Sequence, residues 1–76
     1  MKKIRQATRI INADDIYTKG NFVYIKGIIH NYTVYDTTET TIILRQTSVV
    51  RQLINEAILT LLGNGKIKVD FNRYTF

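Results

Sequence analysis

The pattern of apolar residues changes its period towards the end of the chain. From Val49 to Leu62, apolar side chains recur every three or four residues, as they do on one face of an amphipathic helix. After Gly63-Asn64-Gly65 the spacing becomes a strict alternation at Ile67, Val69 and Phe71, which is typical of a strand. The sequence therefore predicts a helix followed by a strand, and so a fold that contains both.

The predicted helix has one apolar stripe and one polar face. Thr47 or Ser48 is suited to accept the first free amide hydrogens of the helix, and Gly63 stands where a left-handed C-terminal cap is common. The apolar stripe consists of Val50, Leu53, Ile54, Ala57, Ile58, Leu61 and Leu62. A helix of this kind buries its stripe against one face of a sheet.

Three earlier segments have the composition of β-strands. The stretches at 12–15, 19–21 and 36–39, which are polar or contain glycine, have turn chemistry. The predicted strands are Ile4–Ile11, Phe22–Tyr35 and Thr40–Arg45, with Lys66–Tyr74 after the helix. The predicted order is β-β-β-α-β, an α+β fold in which a small, mainly antiparallel sheet carries one amphipathic helix on one face or forms a partly open barrel. We expect residues 1–76 to form a single small domain.

Composition limits the kinds of function that the chain can have. It contains 76 residues with a net charge of +5, one histidine and no cysteine. This composition predicts no disulfide framework and no zinc site. Because no nucleophile, phosphate-binding or metal motif occurs, we expect no enzyme activity and no cofactor. No segment approaches the roughly 18 apolar residues that span a bilayer, so we expect a cytoplasmic protein with no membrane partner, located in the host cytoplasm if it is phage-encoded.

The face of the sheet that the helix leaves uncovered is the predicted binding surface. If Val23 and Ile25 point towards the helix, the residues that alternate with them point away from it. That face would combine aromatic rings with cations, which suits nucleic acid because bases stack on rings while Lys and Arg neutralise phosphates. The candidate nucleic-acid-binding residues are Tyr24, Lys26, His30, Tyr32, Lys66, Lys68, Tyr74, Arg5 and Arg9.

Two other interpretations of this face stand beside the first. The face can be buried against a second copy, since a homodimer would add to a small core, or the register can be reversed so that the rings point inward. The leading functional hypothesis is a non-enzymatic, homodimeric module that binds DNA or RNA. The alternative is a phage- or mobile-element-encoded effector that modulates a host replication, transcription or defence protein, held through a strand edge or through residues 73–76.

Overall fold

The protein is built almost entirely of antiparallel strands. The computed structural model describes every residue from Met1 to Phe76. A 3-10 turn at Ala13–Asp15 is the only helical element, and no helix has the length and apolar character needed to cross a membrane. The seven strands are β1 (Lys2–Asn12), β2 (Ile16–Lys19), β3 (Phe22–Ile25), β4 (Thr33–Thr37), β5 (Thr41–Ser48), β6 (Leu53–Gly63) and β7 (Lys66–Thr75). The prediction of an α+β fold is therefore wrong, and the protein is all-β.

The strands form one large sheet and one small sheet. The large sheet has the order β1-β7-β6-β5-β4, with every neighbouring pair antiparallel, and β2 pairs with β3 in a separate hairpin. Val23 and Tyr32 connect the hairpin to the chain that enters β4, through two backbone hydrogen bonds of 2.8 and 3.0 Å. The segment predicted as one strand, Phe22–Tyr35, is thus two strands separated by residues 26–32.

The segment predicted as the amphipathic helix forms β6, the middle strand of the large sheet. Neighbouring strands flank β6 on both sides, and three consecutive residues at its centre, Asn55, Glu56 and Ala57, are buried. Ile54 and Ile58, on the face opposite the core, are half-buried. Because both faces of the strand are at least partly buried at its centre, apolar and polar residues do not need to alternate, and the apolar residues can fall at a helical spacing. The β-branched residues Ile54 and Ile58 also suit a pleated sheet better than a helix.

Tight turns stand where the helix caps were predicted. Asn64 and Gly65 have φ angles of 55° and 72°, and a two-residue hairpin turn requires such left-handed values at both central positions. This turn joins β6 directly to β7. Before β6, the backbone N–H of Arg51 donates to Ser48 Oγ at 3.3 Å. The serine predicted to begin a helix therefore stabilises the turn between β5 and β6.

The β2–β3 hairpin packs on one surface of the large sheet, which we call the covered face. Directly paired residues of antiparallel strands share a face. The buried core comprises Val23, Ile25 and Tyr32 together with Leu44, Ala57, Leu59, Ile67 and Val69 of the sheet. The predicted inward orientation of Ile67 and Val69 is confirmed. Tyr32, predicted on the uncovered surface, lies in the core instead, because the chain leaves the strand after Ile25 and the alternation does not continue.

The opposite surface of the large sheet, which we call the open face, has no second layer. At its centre, Glu56 accepts hydrogen bonds from Arg45 Nε at 3.0 Å, Asn72 Nδ2 at 3.1 Å and Tyr74 Oη at 3.2 Å. These neighbours leave Glu56 only 5% exposed. The carboxylate at the centre of the open face is therefore paired within the protein.

Candidate anion-binding cleft

A cleft of about 350 Å³ lies between the covered face and the loop that follows β3. The loop contributes Gly27, Ile28, Ile29 and His30 to one wall. The opposite wall comes from β1, β6 and β7 and includes Arg5, Ala7, Arg9, Asn55, Phe71 and Arg73. Because residues 26–32 extend beyond the hairpin without forming a strand, they leave space over this part of the sheet.

Arginine side chains from two neighbouring strands meet in this cleft. Arg5 of β1 is directly paired with Arg73 of β7, so both side chains leave the same face of the sheet. Arg9 lies further along β1 on that face. Like charges directly opposite one another destabilise a sheet, and the cleft therefore concentrates positive charge at a cost in folding free energy.

A chain of hydrogen bonds orients Arg73. Its Nε donates to Asn55 Oδ1 at 2.8 Å, and Asn55 Nδ2 donates to Gln46 Oε1, also at 2.8 Å. Asn55 is buried and Arg73 is half-buried, so this arrangement holds one guanidinium in place at the inner end of the cleft. Arg5 and Arg9 are exposed and have no hydrogen-bond partner in the protein.

None of these arginines forms a salt bridge. Glu56 is among the residues that line the cleft, but its carboxylate is directed to the open face, where it accepts hydrogen bonds from Arg45, Asn72 and Tyr74. Asp70, also on the open face, accepts a 2.7 Å hydrogen bond from Thr8 and lies 3.9 Å from Lys68. The other acidic residues, which lie in turns or on the β4 edge, are Asp14, Asp15, Asp36 and Glu39. The cleft is therefore a site of uncompensated positive charge.

His30 stands at the edge of this charge, with its ring edge-on to Tyr32 and the two centroids 6.0 Å apart. Partial burial lowers the pKa of His30 below 6.5, and the positive charges of Arg73 and Arg51 lower the pKa further. The pKa of His30 therefore depends on the positive charge in and beside the cleft. Burial also raises the pKa of Tyr32 to about 12, so its phenol stays protonated at neutral pH.

We expect a bound polyanion to raise the pKa of His30, because an anion beside Arg73 and Arg51 offsets the repulsion that disfavours the imidazolium. His30 is the only histidine, so an NMR titration of its ring with and without polyphosphate measures this change directly. An unchanged pKa at saturating polyphosphate would contradict an anion site in the cleft.

The same pKa has a consequence for folding. Since the folded-state pKa lies below the unfolded value of 6.5, the unfolded chain takes up the proton more readily. His30 therefore lowers stability as the pH falls from 6.5 towards its folded pKa.

The structure brings together only some of the residues predicted from the sequence. Four of them, Arg5, Arg9, His30 and Tyr32, line the cleft. The others do not form one surface with them. Tyr24 stacks on Tyr17 of the hairpin with centroids 5.2 Å apart, Lys26 is exposed at the start of the loop, and Lys66, Lys68 and Tyr74 lie on the open face. The continuous aromatic and basic sheet face is not present.

Sequence reasoning missed three residues at or beside the cleft. The predicted helix, with its stripe at Val50, Leu53 and Ile54, leaves Arg51 and Asn55 on its water-facing side, and Arg73 belongs to no contiguous run of charge in the sequence. Arg73 shares the alternation of Val69 and Phe71, which was a signal that it faces inward. The pairing of Arg73 with Arg5 had no local signal, because it joins the first strand to the last.

No protein-family model, curated protein or solved structure matches this chain. No relative therefore supports the predicted nucleic-acid keywords or a phage origin.

Proposed function

We propose that this protein is a non-enzymatic binding module that holds the phosphate backbone of a nucleic acid in the arginine cleft. The observation that carries the proposal is the directly opposed pair Arg5 and Arg73, with Arg9 further along the same face and no salt bridge to any of the three. An anion between these side chains converts a repulsion into charge-assisted hydrogen bonds. The planar guanidinium group of arginine matches the geometry of phosphate and binds it through two parallel hydrogen bonds, which is why arginine is common in nucleic-acid recognition.

The size and surroundings of the cleft support a ligand larger than a single ion. A volume of about 350 Å³ lies at the low end of the range for small-molecule pockets. The cleft opens to solvent beside β1, an edge strand whose residues are nearly all exposed. A polymer can therefore enter along the edge of the sheet, with one segment in the cleft and the rest outside.

The total exposed surface also supports a role in binding. The chain exposes 5356 Å², whereas a folded monomer of 8.8 kDa is expected to expose about 4800 Å². The additional area is consistent with a surface that a partner covers. Homodimer formation stays a prediction.

The test is the binding of a fluorescent single-stranded oligonucleotide by anisotropy across a range of salt concentrations. We expect the double variant Arg5→Gln/Arg9→Gln to lose about tenfold or more in affinity, and the magnitude of its slope of log affinity against log salt to fall by about 1.4, because two contacts to phosphates of a single strand are removed. Both arginines are exposed and unpaired, so the fold should be unaffected.

A matched control removes the same charge from the open face. Lys66→Gln/Lys68→Gln should keep most of the affinity and most of the salt slope, since these lysines lie away from the cleft. Equal losses in the two double variants would show that net charge, and not the cleft, determines binding. Absence of binding by the unmodified protein at low salt would refute the proposal.

A second candidate function is the binding of a protein partner, favoured by the long free edge of β1. This strand contains four cations, Lys2, Lys3, Arg5 and Arg9, and no acidic residue. An acidic extended segment can add to such an edge through backbone hydrogen bonds. Affinity purification before and after nuclease treatment distinguishes the candidates, because a partner that persists after nuclease treatment supports this second function.

A further inference from the structure

The three most exposed large apolar side chains lie on two loops. Val50 is 96% exposed, Ile29 95% and Val49 75%. Val49 and Val50 belong to the turn between β5 and β6, whereas Ile29 belongs to the loop that forms one wall of the cleft. We call these three residues the aliphatic tip.

The two loops lie towards the same end of the large sheet, the end that carries Lys2, Lys3 and Arg5. The turn is followed by Leu53, which pairs with Thr75, and Thr75 in turn pairs with Lys2. The turn, the start of β1 and the end of β7 therefore share one end of the large sheet. The loop that carries Ile29 lies across the cleft from Asn55 and Arg73, which are two residues along β6 and β7 from Leu53 and Thr75.

Folding does not explain the aliphatic tip. No side chain of the protein covers these residues, and Ser48 and Arg51 close the turn by a hydrogen bond that does not involve the valine side chains. Exposed aliphatic groups clustered on a surface mark sites of contact with a partner. A ligand in contact with the aliphatic tip therefore also lies beside the arginines of the cleft.

We propose that the ligand is a single-stranded nucleic acid whose bases contact the aliphatic tip while its phosphates lie against the cleft arginines. This inference rests on the proposed function and makes it more specific. A single strand offers apolar base faces next to its phosphates, whereas a duplex hides those faces in its stack and polyphosphate has none. Aliphatic side chains such as Leu and Ile contact base faces where bases are unstacked, as they do when they are inserted between base steps of a duplex, and in a single strand those faces are accessible without the cost of unstacking.

The shape of the site favours a polymer over a membrane surface. The guanidinium of Arg73 is half-buried, and a loop stands across the cleft from it. A flat bilayer meets the tip before it reaches that group, whereas a flexible chain can enter the cleft. The tip also lacks tryptophan, which is common on loops that insert into the membrane interface.

The experiment compares Val49→Thr/Val50→Thr, two tip residues that do not line the cleft, with the unmodified protein against three probes. The probes are oligo(dT) of about 12 nucleotides, within the usual site size, polyphosphate of equal charge, and phosphatidylserine vesicles. We expect this double variant to bind oligo(dT) about fivefold to tenfold more weakly and polyphosphate equally well. Ile10→Thr/Val34→Thr is the matched control, because these residues are 65% and 53% exposed and lie outside the cleft and the tip.

Each outcome separates the inference from the function on which it rests. If the tip variant binds both oligo(dT) and polyphosphate like the unmodified protein, base contact by the tip is refuted while anion binding stands. Loss of vesicle binding in the tip variant, with oligo(dT) binding unchanged, overturns the inference in favour of a membrane. If the unmodified protein binds neither polyanion, the proposed function itself fails.

Discussion

Replacing Glu56 with alanine is expected to lower the free energy of unfolding by about 3 kcal/mol, as urea denaturation would measure it. The carboxylate is 5% exposed and accepts hydrogen bonds from Arg45, Asn72 and Tyr74. Removing it leaves a buried amide and a phenol without a partner and a guanidinium without its counter-charge. We expect the low end of the range for broken buried ion pairs, because the side chain of Arg45 is 24% exposed and can still reach water.

Two further variants isolate the reason for this loss. Asp70→Ala removes a carboxylate from the same face, where the side chain is 26% exposed and lies 3.9 Å from Lys68, so its effect should stay below about 1 kcal/mol. Arg45→Met/Glu56→Leu should be more stable than Glu56→Ala, since it leaves no unpaired charge. Equal losses at Glu56 and Asp70 would mean that the Glu56 cluster is not buried.

Replacing Leu44 with alanine is expected to lower the free energy of unfolding by about 2–5 kcal/mol, the range for large-to-small changes in a core. Leu44 is 0% exposed and belongs to the same buried cluster as Val23 and Ile25 of the hairpin. The small Ala57 lies directly opposite it on β6. A cavity at Leu44 therefore has few side chains able to move into it.

Val34 provides a control within the same pair of strands. It is paired with Leu44 across β4 and β5 but is 53% exposed. Val34→Ala should therefore cost less than about 1 kcal/mol. Comparable losses at the two positions would contradict the packing of the hairpin over Leu44.

The success and failure of sequence reasoning follow from how many faces of a strand are buried. In β7 the core residues Ile67 and Val69 alternate with polar Lys66, Lys68 and Asp70, so the alternation was readable and the prediction of a strand was correct. β6 is partly buried on both faces at its centre, so its apolar and polar residues do not alternate and its apolar residues fall at a helical spacing instead. The Asn64-Gly65 pair carried the deciding information, because it is a stronger signal for a hairpin than Gly63 is for a helix cap.

The candidate site was predictable only in part. The common face of Arg5 and Arg9 follows from alternation within one strand, and both residues line the cleft. Arg73 joins them only because β1 pairs with β7, and a pairing between distant segments leaves no mark in the local pattern. The prediction placed Tyr32 on the wrong side because β3 ends at Ile25. The alternation of faces that starts at Tyr24 does not continue through the loop after the strand.

The pairing of β1 with β7 also sets the order in which the sheet can assemble. Thr8 and Asp70 are partners although 62 residues separate them, whereas each hairpin of the β4–β7 meander closes over a short turn. Local hairpins form quickly and distant pairs slowly, because a long loop loses more entropy on closure. During folding, β7 is therefore an unpaired edge until β1 arrives, and in that interval a strand from another molecule can take the place of β1.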